Sequence, residues 1–225
     1  MEHLPNTRTS SDDPAAALMD GALLLGTPLS PHVVAKMVLY LKELMRWSAK
    51  VNLTALKTEQ DIISKQFLDS LSAFKLVNPS ELIRPNQRFR IVDVGSGAGF
   101  PGLILKLHEP AVSVTLVEPS AKKAAFLHYI IGLLGLSDAQ VIMRKVEDWN
   151  DIKPEYDLLT TRALKQEVIF EAAPRVLSPA GRILLYRAKP LELVPATCKI
   201  VKELSFTLPF DGSSRTLTLL RLITP

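Results

Sequence analysis

The chain has 225 residues, 47% of them hydrophobic and 22% charged, with a formal net charge of +4. That is length for one substantial core, or for one core plus a small appended domain, and the balance excludes disordered, fibrous and membrane-spanning classes. One cysteine, Cys198, leaves no internal disulfide framework, and the mild basic excess permits an anionic partner such as nucleic acid without requiring one.

Residues 1–13 are polar and are expected to form a flexible tail. The start, MEHLPNTRTSSDDP, lacks the basic-then-apolar order of a signal peptide, and no apolar run approaches the roughly 18 residues that span a bilayer. A cytoplasmic monomer with no membrane contact is expected.

Residues 14–85 read as an N-terminal helical extension. Ser30-Pro31 supplies an N-cap and a first-turn proline. Val33, Val34, Met37, Val38, Leu41, Leu44 and Met45 then recur at helical spacing as one apolar stripe. Thr58 followed by Asp61 resembles a capping box, and Phe67, Leu68 and Leu71 form the buried side of the helix that it opens.

Residues 86–225 have a different texture. Strands are expected at 89–94, 111–118, 140–147, 156–163 and 181–188. They alternate with helices at 101–108, from Ser120 to a stop at Gly135, and at 167–176. Such alternation builds a parallel sheet covered on both faces. The segments 202–210 and 215–223 flank Asp-Gly-Ser-Ser at 211–214 and read as a hairpin. The expected architecture is an α/β, Rossmann-like, mostly parallel seven-stranded sheet with one antiparallel strand. Ligands of such sheets sit beyond the carboxyl ends of the strands.

The stretch Val92–Gly102, VDVGSGAGFPG, is the chemical signature. No Lys-Ser or Lys-Thr follows a glycine, so a triphosphate loop is excluded. A dinucleotide frame opened at Gly95 breaks at Phe100, and the frame Gly97, Gly99, Gly102 begins two residues late. The pattern Asp93-x-Gly95-x-Gly97-x-Gly99 suits S-adenosylmethionine, whose methionyl end carries an ammonium and a sulfonium. An acid at the loop mouth serves that end, whereas a pyrophosphate would be repelled by it. Glu118, ending the second strand, is placed for ribose hydroxyls, a role that dinucleotide sites share. Glu147 is placed for the adenine edge, with Val146 against its face. The alternatives are a NAD-dependent oxidoreductase and a ribose 2′-O RNA methyltransferase, the latter with Lys189 and Asp157 as the available base pair.

The segments RWSAKVNLTAL, FLDSL, VDVGSGAGFPG, KVED and Thr161-Arg162-Ala163 together are similar to the RsmG (GidB) family, bacterial 16S ribosomal RNA (guanine-N7)-methyltransferases. The similarity runs from about Arg46 to the C-terminus. It implies the seven-stranded fold with a helical extension, and a guanine in 16S rRNA, or in the small subunit or an assembly intermediate, as substrate. It implies cofactor contacts at Gly95, Phe100, Val146, Glu147 and Arg162, with Gly97 and Glu118 beside them. Gln66 stands where the family has a histidine, and Pro190 follows Lys189 where the family has a glycine.

Guanine N7 carries a lone pair and no proton, so its methylation needs alignment more than a general base. No catalytic dyad is therefore expected, and Arg162 is the candidate for positioning. Arg144, Lys145, Arg187 and Lys189 are the candidates for RNA phosphates, with Lys122, Lys123 and Arg182 as further members of that surface. The four histidines have no metal spacing, and no metal is expected.

Overall fold

The computed structural model describes residues 13–78, 88–162 and 164–223. Most of the expected tail, the boundary at 85/86 and Ala163 lie outside the described residues.

Helix α1 (Pro14–Leu24) starts on Asp13, whose carboxylate accepts the Ala15 N–H. Helix α2 (Pro31–Ser48) starts on Ser30, whose hydroxyl accepts the Val33 N–H, and it buries Val34, Met37, Tyr40, Leu41 and Leu44. Thr58 caps α3 (Glu59–Ile62): its hydroxyl accepts the Asp61 N–H and donates to the Asp61 carboxylate at 2.8 Å. The chain then passes through a π-helical turn, Ile63–Leu68, into α4 (Asp69–Leu71). The sequence pattern, read as plain α-helix, did not foresee the π turn.

The sheet has seven strands: β1 (Arg90–Val94), β2 (Ser113–Val117), β3 (Ala139–Ile142), β4 (Tyr156–Thr161), β5 (Leu177–Arg187), β6 (Cys198–Thr207) and β7 (Ser214–Leu222), in the order β3-β2-β1-β4-β5-β7-β6. The first five are parallel, and β7 runs antiparallel to both its neighbours. Helices α5 (Gly102–His108), α6 (Ala121–Leu134) and α7 (Gln166–Val176) make the crossovers. Gly135, at φ +60°, ends α6 in the left-handed conformation that the sequence called for.

Strand alternation sorts the core into two layers. Ile91, Leu158, Leu184 and Leu217 join Leu18, Met37, Tyr40 and Phe67 of the extension, together with Leu103 of α5 and Phe126 of α6. Val92, Leu159, Ile183 and Leu220 face the other way, against Ile169, Ala172 and Val176 of α7. Among the described residues the extension is therefore one layer of the main core rather than a separate core. No helix among the described residues is long and apolar enough to cross a membrane.

Several boundaries differ from the sequence reading. Strand β3 ends at Ile142 rather than at 147, because the Arg144 N–H turns back to the Ile142 carbonyl. Residues 143–147 are thus loop. Strand β5 begins at Leu177, directly after α7. The turn between β6 and β7 spans 208–213, longer than the Asp-Gly pair suggested, with Gly212 at φ +70° inside it.

Candidate functional site

All five parallel strands end on one edge, which carries the loops expected to bind ligand. Gly95, Gly97 and Gly99 have φ of +73°, +59° and +96°, a conformation that side-chain-bearing residues avoid. The three serve different neighbours. A Cβ on Gly99 would meet the Tyr40 hydroxyl at 2.5 Å, so Gly99 is where the loop presses on α2. A Cβ on Gly95 would meet Leu164, from the segment after β4, at 2.9 Å. A Cβ on Gly97 would meet nothing closer than the Gly95 carbonyl at 4.0 Å. The space above Gly97 is free for a ligand to approach the main chain.

Glu118, next to the loop at the end of β2, closes this cradle. Its two carboxylate oxygens accept the Gly97 N–H and the Ser120 N–H, each at 2.9 Å. Each oxygen keeps a lone pair for a further donor, as a vicinal diol would supply.

Asp93 is not at the loop mouth, where the sequence reading put it. It is fully buried beneath the loop, and its Oδ2 accepts the Gly102 N–H at 2.9 Å, fastening the start of α5. Its Oδ1 is buried without a hydrogen-bond partner. Burial raises the Asp93 carboxyl to about 7; the Gly102 N–H and the charge of Arg162 oppose the rise, and Glu118 adds to it. An orphaned acceptor under an open glycine cradle fits a cationic amine.

The Phe100 side chain faces the core rather than the edge. It stacks on Tyr40 at 5.3 Å between ring centroids and meets Phe67 edge-on at 5.2 Å. The ring is thus a packing anchor, and the Tyr40 hydroxyl, hydrogen-bonded to the Ala98 carbonyl, ties the same loop to α2. Val146 is buried with Trp149 in the α7 layer, and Glu147 is exposed beside it. Arg175 of α7 fixes this turn by donating to the Val146 carbonyl at 2.6 Å and the Trp149 carbonyl at 3.3 Å.

Arg162, one residue past β4, points into the helical extension. It forms an ion pair with Asp69 at 2.8 Å and donates to the Gln66 side chain at 2.9 Å, to the Gln66 carbonyl and the Ser70 hydroxyl at 3.3 Å, and to the Lys65 carbonyl. Sequence reasoning missed Asp69, Arg215 and Tyr40. The signal for Asp69 was present in FLDSL: an acid among apolar residues of a buried helical face.

The basic candidates fall into two groups along the carboxyl edge. Arg144 and Lys145 follow β3, whereas Arg187 and Lys189 end β5, four strands away or about 19 Å at the usual strand spacing. Arg144 is engaged with Asp151 at 3.0 Å. Arg182 pairs with Leu158 near the start of β4, towards the opposite edge, and drops out of this surface. Asp157 lies at that amino end too, its Oδ2 accepting the Arg90 N–H at 2.8 Å. Lys189 and Asp157 are therefore at opposite ends of the sheet, and the 2′-O base pair that the sequence offered does not form.

Comparison with known proteins gives concordant matches. The GidB family, described as rRNA small subunit methyltransferase G, matches residues 33–203. Ribosomal RNA small subunit methyltransferase G of Nitrosococcus oceani is 35% identical over 211 residues, covering 91% of this chain and 93% of that one. The protein of the same name from Myxococcus xanthus is 32% identical over 208 residues, covering 88% and 92%. Among solved structures, MtNAS in complex with MTA and tNA superposes with a TM-score of 0.54 at 20% identity, covering 84% of this chain and 73% of that one. TrmN from Thermus thermophilus gives 0.53 at 17% identity, covering 72% and 53%. At these identities the two structures speak for the fold alone.

Proposed function

The chain belongs to the rRNA small subunit methyltransferase G family, and from that premise we propose that it transfers a methyl group from S-adenosylmethionine to N7 of a guanine in 16S rRNA. The observation that carries this reading is the pairing of the open cradle at Gly97 with the Glu118 carboxylate across it. Bound there, S-adenosylmethionine supplies a methyl group activated on a sulfonium.

The residues then divide the work. Glu118 holds the ribose hydroxyls while keeping its two main-chain donors. Gly97 lets the main chain meet the methionyl part, with Gly95 beside it, and the orphaned Asp93 Oδ1 offers a counter-charge for its ammonium. Val146 and Glu147 border the adenine. Gly99 and the Phe100 ring hold the loop against α2.

No side chain needs to take a proton from N7. What the reaction demands is that the base be held in line, over the carboxyl ends of β4 and β5, and that positive charge developing on the purine find fixed dipoles. We assign Arg187 and Lys189, beside that end, to the RNA phosphates, and Arg144 and Lys145 to a more distant stretch of the strand. An rRNA substrate, naked or in a small-subunit particle, places the work of the protein in the cytoplasm, and one chain carries every residue named.

The family membership removes the NAD reading. Transfer of tritium from labelled S-adenosylmethionine to 16S rRNA or small-subunit particles, followed by mapping of the modified nucleotide, tests the proposal. A label at N7 of one guanine is expected; a label at an exocyclic nitrogen or a 2′-oxygen, or none, would overturn it.

A further inference from the structure

The π-helical turn of the extension and the end of β4 are joined through a single side chain, and the join is more elaborate than a surface ion pair. Both terminal nitrogens of Arg162 are engaged, one by Asp69 and the Lys65 carbonyl, the other by the Gln66 side chain, the Gln66 carbonyl and Ser70. The guanidinium also lies 5.9 Å from the centroid of the Tyr186 ring, and the Tyr186 hydroxyl donates to the Ser70 carbonyl at 2.9 Å. Every acceptor except the ring is on residues 65–70. A π turn widens the helix and re-aims its carbonyls, and such turns gather at functional positions.

Asp69 is the anchor. Its side chain is 3% exposed, and a second guanidinium, Arg215 from β7, approaches its other oxygen at 3.5 Å. Burial raises its carboxyl above the ordinary range, and Arg162 and Arg215 oppose that rise. The neighbouring turn between β6 and β7 is bound to the same helix: Ser64 donates to the Pro209 carbonyl at 2.8 Å, and Lys65 lies 3.8 Å from Asp211. Sheet, hairpin and extension thus meet at one carboxylate, close enough to the glycine loop that Asp93 feels the Arg162 charge.

We propose that Asp69 is a positioning residue of the transfer site: with the π turn it sets where the Arg162 guanidinium stands at the end of β4. This rests on the transfer reaction proposed above. The extension then supplies the orientation of a charge that the sheet alone leaves free, since a long arginine one residue beyond a strand has many rotamers. Gln66 belongs to the same device as the lateral acceptor that keeps the guanidinium plane fixed.

The test is a double-mutant cycle on Asp69→Asn and Arg162→Met, with Gln66→Ala as a milder variant, each checked for folding by thermal melts. Asp69→Asn is expected to lower kcat at least about tenfold with KM for rRNA within about threefold, and to have an effect under about twofold once Arg162 is Met. Gln66→Ala follows the same pattern on a smaller scale. Equal losses from Asp69→Asn in both backgrounds, or none in either, would overturn the positioning role. A wild-type protein that labels no 16S rRNA would instead end the reaction reading. The same cycle read by S-adenosylhomocysteine calorimetry would then decide the positioning role, non-additive losses supporting it and additive or absent losses refuting it.

Discussion

The two halves of the carboxyl edge are built by opposite means. On the β1–β2 side the site is main chain: three left-handed glycines, with one carboxylate receiving backbone donors. On the β4 side it is side chain: an arginine held by residues nearly a hundred positions earlier in sequence. A main-chain cradle tolerates no Cβ where a ligand or helix presses on it, but its parts are contiguous and fold together. A side-chain clasp is assembled only when three separate elements have docked, and it ties the site to the state of the extension.

The first half is the easier to break. Gly99→Val places a branched Cβ at φ +96° against Tyr40, and destabilisation of at least about 3 kcal/mol in urea unfolding is expected. Gly97→Ala meets open space, so its cost to folding is about 1–2 kcal/mol, the left-handed penalty alone. Its S-adenosylhomocysteine affinity is nevertheless expected to fall at least about tenfold, because the methyl group occupies the ligand's approach. If both variants lost stability equally, the distinction between a packing glycine and a binding glycine in this loop would fail.

Glu118→Ala comes next. It removes the acceptor of two main-chain donors and of the proposed ribose hydroxyls, and a loss of about 2 kcal/mol in S-adenosylhomocysteine binding by calorimetry is expected. Glu118→Gln keeps the shape and loses the charge; retention of most of the affinity there would mean that geometry, rather than charge, does the holding.

Much of the first half was legible in the sequence, and little of the second. The glycines, Asp93 and Glu118 are neighbours of strand ends that the apolar pattern located, so topology alone brought them to one edge. What the pattern did not reveal was depth: Asp93, within the strand expected at 89–94, reads as an acid offered to the ligand until its full burial and the start of α5 on its carboxylate are seen. The Phe100 ring is a related case, since it is claimed by Tyr40 and Phe67, residues distant in sequence, and no local pattern announces that packing. The Asp69–Arg162 pair joins residues 93 positions apart, and no periodicity links them. Only the docking of the extension onto the β4 end creates it.

Asp93 gives the comparison a pH axis. Its carboxyl titrates at about 7 in the folded protein against 3.8 for an ordinary aspartate, with Arg162, Glu118 and Tyr40 as the charged or titratable neighbours. Between these values the unfolded chain has released the proton and the folded chain retains it. Folding stability therefore declines as pH rises from about 4 to about 7 and levels off above. Asp93→Asn is expected to remove that slope. Cofactor binding runs the other way, tightening as pH rises through about 7, because the ionised Oδ1 is the form that meets an ammonium. A pH-independent affinity in the wild-type protein would place the ammonium elsewhere.

The smallest effects belong to the exposed cations, and they sharpen the division of the edge. Arg187→Glu with Lys189→Glu alters the side on which RNA is proposed to arrive, and KM for 16S rRNA is expected to rise about tenfold, with a shallower dependence on salt. Arg144→Glu with Lys145→Glu alters the far end, beyond β3, where Arg144 is already neutralised by Asp151. A change within about threefold is expected there, in line with the small worth of exposed charge pairs. Neither double variant should change S-adenosylhomocysteine affinity or melting temperature appreciably, since none of the four side chains is buried. If the β3-end pair proved the more damaging to rRNA binding, the strand would have to cross the cofactor half of the edge. The assignment of the β4–β5 end to the base would then have to be reversed.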